Sequence, residues 1–435
     1  VFVINKQQNP GILSYYAGIV GASQCQRGRG PCDLTRGIVA DDAAGTVTFR
    51  LTGPDRDFLY KLAFSWADPV PPGTPDYPVS AAQLPATGPY MTESLREGHT
   101  WTLVRNPRFR QWSQQAQPDG YPDRIVVRLN VGPGQAVADV EDGRADVLLT
   151  PPPDALGQLA THYPSQLHSG PIAATFALTL NTRIAPFNSP AARRALNDAI
   201  DRNTVIALNG GSLAAAATCQ ILPPTMPGYQ PYCPYALQPG PAGASSAPDM
   251  ALAERLVQAS GTRGDTVKVL YGDQGTPYPT LATARYVMSV LDQLGYRASL
   301  RLVDPNAYWN VFGDSRDRVQ IGFSGWFQDY PAPSDFIDPV LTCGSFLPAN
   351  PGNNNTAEFC DPQVDAQARQ ALAHQQVGDP ATAAAQWAAI DHEIVDQAPW
   401  VSLYNPRDLT VLSARTGNYQ FHPYWNLLID QLWVR

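Results

Sequence analysis

Lysine is nearly missing from this chain: Lys6, Lys61 and Lys268 are the only three in 435 residues, and almost all positive charge is arginine. Charged residues of both signs make up only 16%, with a net charge of -8. Nucleic acid is therefore excluded as the main partner, because phosphate binding needs clustered Lys and Arg. The arginine bias reads as coding bias rather than as a site. No apolar run is long enough to span a bilayer, and no secretory leader is present. The chain opens abruptly at Val1-Phe2-Val3-Ile4-Asn5, which reads as a processed or truncated product.

Enzyme and metal motifs are also missing. There is no GxSxG, P-loop, EF-hand loop or CxxC. His392-Glu393 is not followed by a histidine at metalloprotease spacing. The six histidines (His99, His162, His168, His374, His392, His422) are scattered. Val131-Gly132-Pro133-Gly134 resembles a dinucleotide fingerprint only superficially. No catalytic residue, metal ligand or cofactor is expected. A secreted hydrolase built on a carboxylate pair that only the fold assembles stays open as an alternative.

What is present is globular. Hydrophobic residues make up 44%, and the length suits two or three domains. The six cysteines fall into local pairs, Cys25 with Cys32, Cys219 with Cys233 and Cys343 with Cys360. Each pair brackets a loop rich in Gly, Pro or Asn that reads as floppy. An even count paired this way reads as disulfide staples in an oxidising compartment.

Strand and helix patterns alternate, which argues for an α/β architecture. Thr175 to Leu180 reads as a strand. Ser189 reads as an N-cap before Pro190 at the first helical position. Val267 to Tyr271, an amphipathic helix from Leu281 to Leu294 closed by Gly295, and Ala298 to Leu302 form one βαβ unit, with a right-handed crossover expected. Ligands meet such sheets at strand C-termini, so Gly272 and Asp273 are candidate cleft residues. An ordinary strand-to-helix loop fits equally. Ala383 to Asp396 reads as the last helix.

The run Ser324-Gly325-Trp326-Phe327-Gln328-Asp329-Tyr330-Pro331-Ala332-Pro333 follows an apolar strand, Val319 to Phe323. A strand that ends this way projects an aromatic face and a carboxylate from a rigid corner. Such a pair suits a small ligand with a positive group. A plain turn with a buried Trp and a capping Asp is the other reading.

Several motifs then converge in order. Asp33-Leu34-Thr35-Arg36-Gly37-Ile38 with Asp41-Asp42 and Gly45-Thr46-Val47-Thr48-Phe49 come first. Gly88-Pro89-Tyr90 with Leu103-Val104-Arg105-Asn106-Pro107, and Glu141-Asp142-Gly143-Arg144-Ala145-Asp146-Val147, follow. Asn181-Thr182 with Ala185-Pro186-Phe187, Arg193-Arg194-Ala195-Leu196 and Ala199-Ile200-Asp201-Arg202 is the strongest piece. Gly325-Trp326 with Asp329-Tyr330-Pro331, then Asp361-Pro362 and Val364-Asp365, complete the set. In this order they resemble the extracellular solute-binding proteins of family 5, the dipeptide/oligopeptide-binding type, in an actinobacterial version.

The resemblance implies a two-lobe periplasmic-binding-protein fold of type II and of the large, three-subdomain kind, with mixed sheets and an interlobe cleft. Residues 1–83 would belong to the extra subdomain of lobe I, 84–176 with 406–435 to its core, and 177–405 to lobe II. The chain would cross between lobes near Phe176 to Asn181 and near Val401 to Asn405. The implied activity is capture of a small solute, most suitably a peptide, by hinge closure, with delivery to a membrane ABC permease. A sensor that binds a peptide signal without transport needs the same cleft. The implied ligand-binding residues are Asp329, Trp326, Phe327, Tyr404, Asn181, Gly272 and Asp273, with Asp329 pairing a peptide ammonium. Relatives that bind oligopeptides often carry arginine three residues before the Trp, where this chain has Phe323. The implied location is extracytoplasmic, as a bacterial cell-surface lipoprotein or secreted protein. The family's usual N-terminal segment is expected either to have been removed or to stay attached non-covalently. The disulfide reading has a direct test: the denatured, unreduced protein is expected to show no reactive thiol, and six would overturn it.

Overall fold

A computed structural model describes residues 15–26, 33–74, 84–240 and 242–435. The chain divides into two compact units. One takes in the described residues up to Asp68 together with Ala173–Pro406. The other takes in Pro69–Ile172, where described, with Arg407–Arg435.

In the first unit a mixed sheet is built from β1 (Ala174–Leu180), β2 (Ala215–Ala217), β3 (Thr266–Tyr271), β4 (Arg297–Leu302), β5 (Ile321–Phe327) and residues 400–406 of β6 (Trp400–Leu412). The order is β4-β3-β5-β1-β6, with β2 on β6. β3 runs parallel to β4 and β5, whereas β5, β1, β6 and β2 pair antiparallel. Every residue of β1 is buried, as a strand covered on both faces requires. The expected βαβ unit is β3, the helix Leu281–Gln293 and β4, and Gly295 follows that helix with φ of 89°. The helix Pro190–Ala199 begins with Pro190, but the Ser189 side chain makes no capping hydrogen bond. The Ser189 carbonyl instead accepts from the Arg193 N–H at 3.2 Å.

The main core of this unit packs Phe336, Ile337 and Leu341 against Trp387, Ile390 and Ile394 of the helix Pro380–Gln397. A second cluster joins Tyr15, Tyr16, Ile19 and Phe58 to Tyr330 and Ala332. This cluster explains a departure from the expected grouping of residues 1–83 with 84–176. The apolar side chains of the described early residues bury against the corner after β5, not within the second unit.

The second unit contains a three-stranded antiparallel sheet, Tyr90–Arg96, Thr100–Arg105 and Arg124–Arg128. Residues 407–412 of β6 pair there with Val147–Leu149 and Leu167–Pro171. Arg144 and Arg128 both bind the buried Asp139 carboxylate, which fixes the helix Pro133–Glu141.

Disulfides join Cys219 to Cys233 and Cys343 to Cys360. Cys32, the expected partner of Cys25, lies outside the described residues. The 343–360 loop is not floppy. Asn353 and Asn355 are buried, and their amides are held by backbone partners: Asn355 Nδ2 donates to the carbonyls of Phe359 and Thr342, and Leu347 N donates to Asn353 Oδ1 at 3.0 Å. Among described helices, none is long and apolar enough to cross a membrane.

Trp387 fills the main core, and its indole N–H has no acceptor among the described residues. Trp387→Ala is expected to cost about 4 kcal/mol in chemical denaturation, the range for emptying an aromatic core site. Trp387→Phe should cost much less, because no hydrogen bond is lost.

Candidate functional site

The site grows from the end of β5. Seven register pairs hold β5 to β1, from Ile321 opposite Leu180 to Phe327 opposite Ala174. The strand therefore runs past the expected stop at Phe323, and Trp326 and Phe327 lie within it rather than in the corner. Gly325 permits this: a Cβ there would sit 2.7 Å from the Thr175 carbonyl oxygen and 2.8 Å from the Phe176 ring. Gln328 N donates to Ala173 O at 2.7 Å, and the corner then turns into the helix Ser334–Leu341.

Beside this strand end lies a recess of about 470 Å³. Trp326, Phe327 and Asp329 line it together with Tyr278, Trp309 and the backbone loop 351–354. The disulfide Cys343–Cys360 closes the segment that carries this loop. The rings of Trp309, Tyr278 and Phe327 form a continuous wall, with centroids 5.9 Å apart for the first pair and 6.3 Å for the second. Phe176 backs them, 4.7 Å from Tyr278 and 5.5 Å from Phe327. Among the described residues, Asp329 contributes the only carboxylate to the lining, and no arginine, lysine or histidine lines it.

Asp329 is held on several sides. The Tyr15 hydroxyl donates to its Oδ2 at 2.5 Å and lies 3.1 Å from Asp335 Oδ1. The backbone N–H of Asp329 donates to Asp335 Oδ2 at 2.7 Å. Burial raises the Asp329 carboxyl to about 6, against the pull of the Tyr15 hydrogen bond. Burial, then repulsion from Asp329, pushes Asp335 well above the usual carboxylate range.

The other expected ligand residues fall elsewhere. Asn181 follows the far end of β1, opposite the strand end that carries Trp326. It is buried, and its Nδ2 donates to Glu358 Oε1 at 2.9 Å. Tyr404 is buried behind the wall, stacked on Phe176 at 5.4 Å, and its hydroxyl donates to the Pro277 carbonyl at 2.8 Å. It supports the loop that carries Tyr278 but does not line the recess. Gly272 packs on Tyr308, where a Cβ would lie 3.0 Å from the ring. Asp273 turns its Oδ1 to the Gly275 N–H at 3.0 Å. Neither lines the recess, although the same loop leads to Tyr278. Phe323 is buried, and its carbonyl accepts from the Tyr308 hydroxyl at 2.6 Å. Sequence reasoning missed Tyr15, Tyr278, Trp309 and Asp335. Aromatics set in the polar stretches Thr276 to Thr280 and Pro305 to Asn310 were the available signal for two of them.

The family profile "Bacterial extracellular solute-binding proteins, family 5 Middle" matches residues 2–347. "Probable ABC transporter periplasmic-binding protein SapA" of Escherichia coli K12 is 26% identical over 348 residues, 76% of this chain and 58% of that protein. This chain thus spans somewhat more than half of that relative. "Di/tripeptide-binding protein 4" of Pseudomonas aeruginosa is 25% identical over 395 residues, covering 88% of this chain and 68% of the relative. The structure of the "ABC transporter-associated periplasmic binding protein DppA" from Helicobacter pylori, in complex with peptide STSA, matches with a TM-score of 0.74 at 18% identity. That match covers 99% of this chain and 83% of the other. The fold is thereby the two-lobe α/β fold of the periplasmic peptide-binding proteins.

Asp329 is one of several buried acids in the first unit. Burial raises Asp391 to about 6, and Asp198 and Asp338 to about 7. An acid whose pKa is raised on folding stabilises the protein at low pH, and that stability is lost as pH rises through the folded value. His168, lowered by burial, acts in the opposite sense as a single half-buried group. The melting temperature of the ligand-free protein is therefore expected to be higher at pH 5.5 than at pH 8, by roughly 5 °C in calorimetry. A melting temperature that stays level or rises from pH 5.5 to pH 8 would contradict the assignment.

Proposed function

This chain belongs to the bacterial extracellular solute-binding proteins of family 5, and from that premise we propose that it captures a short peptide outside the cytoplasm by hinge closure of its two lobes and delivers it to an ABC-type import permease. It acts as a cell-surface lipoprotein or a secreted protein. No bond is made or broken. The observation that carries this reading is the recess with one carboxylate set among aromatic rings. Asp329 pairs the peptide's N-terminal ammonium, while Trp326, Phe327 and Tyr278 pack on the first residue. The names of the relatives, a di/tripeptide-binding protein and a DppA holding a tetrapeptide, support a peptide over other solutes. Among the described residues no cation lines the recess, so none of them pairs a peptide carboxylate there. Hydrolysis is disfavoured: the one carboxyl close to Asp329, Asp335, is fully buried and absent from the recess lining, so no acid–base pair faces a substrate.

Calorimetric titration with trialanine at pH 7.5 tests the reading. Wild type is expected to bind trialanine and to reject its N-acetylated form. Asp329→Asn should weaken binding by about 10- to 100-fold, the value of a charge-assisted hydrogen bond. Affinity should also fall as pH drops through about 6, where Asp329 takes up a proton. Equal binding by Asp329→Asn would remove this role.

A further inference from the structure

We infer that Asp335 is carried as a neutral acid that donates to the Tyr15 hydroxyl, which in turn donates to Asp329, so that the recess presents a single negative charge and selects singly charged amines over dications. The inference rests on the reading above, in which Asp329 receives the ligand's ammonium.

The argument begins with one proton. Tyr15 has a single hydroxyl hydrogen and lies within hydrogen-bond distance of two carboxyl groups. The 2.5 Å contact to Asp329 Oδ2 takes that hydrogen. With that hydrogen committed, the 3.1 Å contact becomes a full hydrogen bond when Asp335 Oδ1 carries a hydrogen and the tyrosine oxygen accepts it. An ionised Asp335 would receive only the minor share of a hydrogen already given to Asp329. Its second oxygen already accepts from Asp329 N.

The surroundings agree. Asp335 is 0% exposed, and among the described residues it forms no ion pair. Tyr330, buried beside it, bonds Ser334 Oγ through its hydroxyl. Lys61 sits 5.2 Å from the centre of the Tyr330 ring and is paired with Asp55 at 2.9 Å. The other titratable groups around Tyr330 and Lys61 are Asp57 and Asp338, both acids. A second negative charge would meet desolvation and repulsion from Asp329, set against the backbone N–H groups of Asp329 and Tyr330, with no cation to pair it among the described residues.

The consequence is one of ligand class. Two ionised carboxylates side by side would suit a divalent cation or a diamine. One carboxylate, fixed by a neutral neighbour and walled by aromatic rings, suits one ammonium. Asp335 and Tyr15 are positioning residues: they aim Asp329 and supply no charge.

Carboxyl ¹³C NMR of the ligand-free chain, with Asp335 and Asp329 assigned through backbone correlations, reads the proton directly. Asp335 is expected to keep the neutral-acid shift at pH 7.5 while Asp329 titrates alone; an ionised Asp335 would overturn the inference. Asp335→Asn should act as a conservative rescue, because its amide donates to Tyr15 and accepts from Asp329 N. Trialanine affinity should then stay within about threefold of wild type, a change under ~1 kcal/mol. A loss matching that of Asp329→Asn would show that Asp335 contributes charge, and would overturn the proposal. Tyr15→Phe should raise the Asp329 titration midpoint, which a purely structural role would leave in place. Should trialanine fail to bind wild type while Asp335 is found neutral, the peptide reading fails and the proton placement stands.

Discussion

The antiparallel pairing of β5 with β1 is the constraint on which the site depends. Seven consecutive pairs fix where β5 ends, and the Gln328–Ala173 hydrogen bond fixes the step beyond it. Trp326 and Phe327 owe their positions to that ladder, and Asp329 owes its own to the turn that follows. Phe176, on the partner strand, supports Phe327, Tyr278 and Tyr404 at once. One register therefore places both the carboxylate and the aromatic wall. A slip of one residue would carry each side chain of β5 to the opposite face.

Much of the scaffold was legible because its signals are local. The β3–helix–β4 unit shows alternation, a helical apolar stripe and a closing glycine within 37 residues, all of which the structure retains. The end of β5 was not legible, since Gly325 and the following aromatics and prolines carry turn composition. Only the neighbouring strand keeps them extended. The 343–360 loop failed for a similar reason: asparagine and glycine resemble solvent-facing chain until their amides are seen to bond buried carbonyls. Tyr15 is 314 residues from Asp329, and no local pattern signals such a pair. Asn181 and Tyr404, which the family resemblance implies as ligand residues, direct their hydrogen bonds inward.

The residues that best carry the family resemblance do structural work. Arg202 is buried and donates to the carbonyls of Thr218 and Ser402, while Asn197 donates to Trp400 O. Arg193 donates to the carbonyls of Phe187 and Gln397. Arg202 ties its helix to β6, and Arg193 ties its own to the end of the helix Pro380–Gln397; both act through backbone acceptors, and neither lines the recess. A sequence motif built from them identifies the scaffold with confidence in its order, yet it says nothing of cargo. The recess is lined by residues from separate loops that carry no such pattern, which is why the family could be read where the ligand could not.

The central position of β6 also bears on how the protein comes to be folded. Residues 400–404 seal the open edge of β1, a strand made more than two hundred residues earlier. Until they arrive, β1 offers unpaired amides and a largely apolar surface to any passing strand. During synthesis the first unit must stay incomplete for most of its length, vulnerable to aggregation and in need of shielding. The same delay keeps the chain threadable, so late closure favours translocation of the polypeptide before its tertiary structure forms.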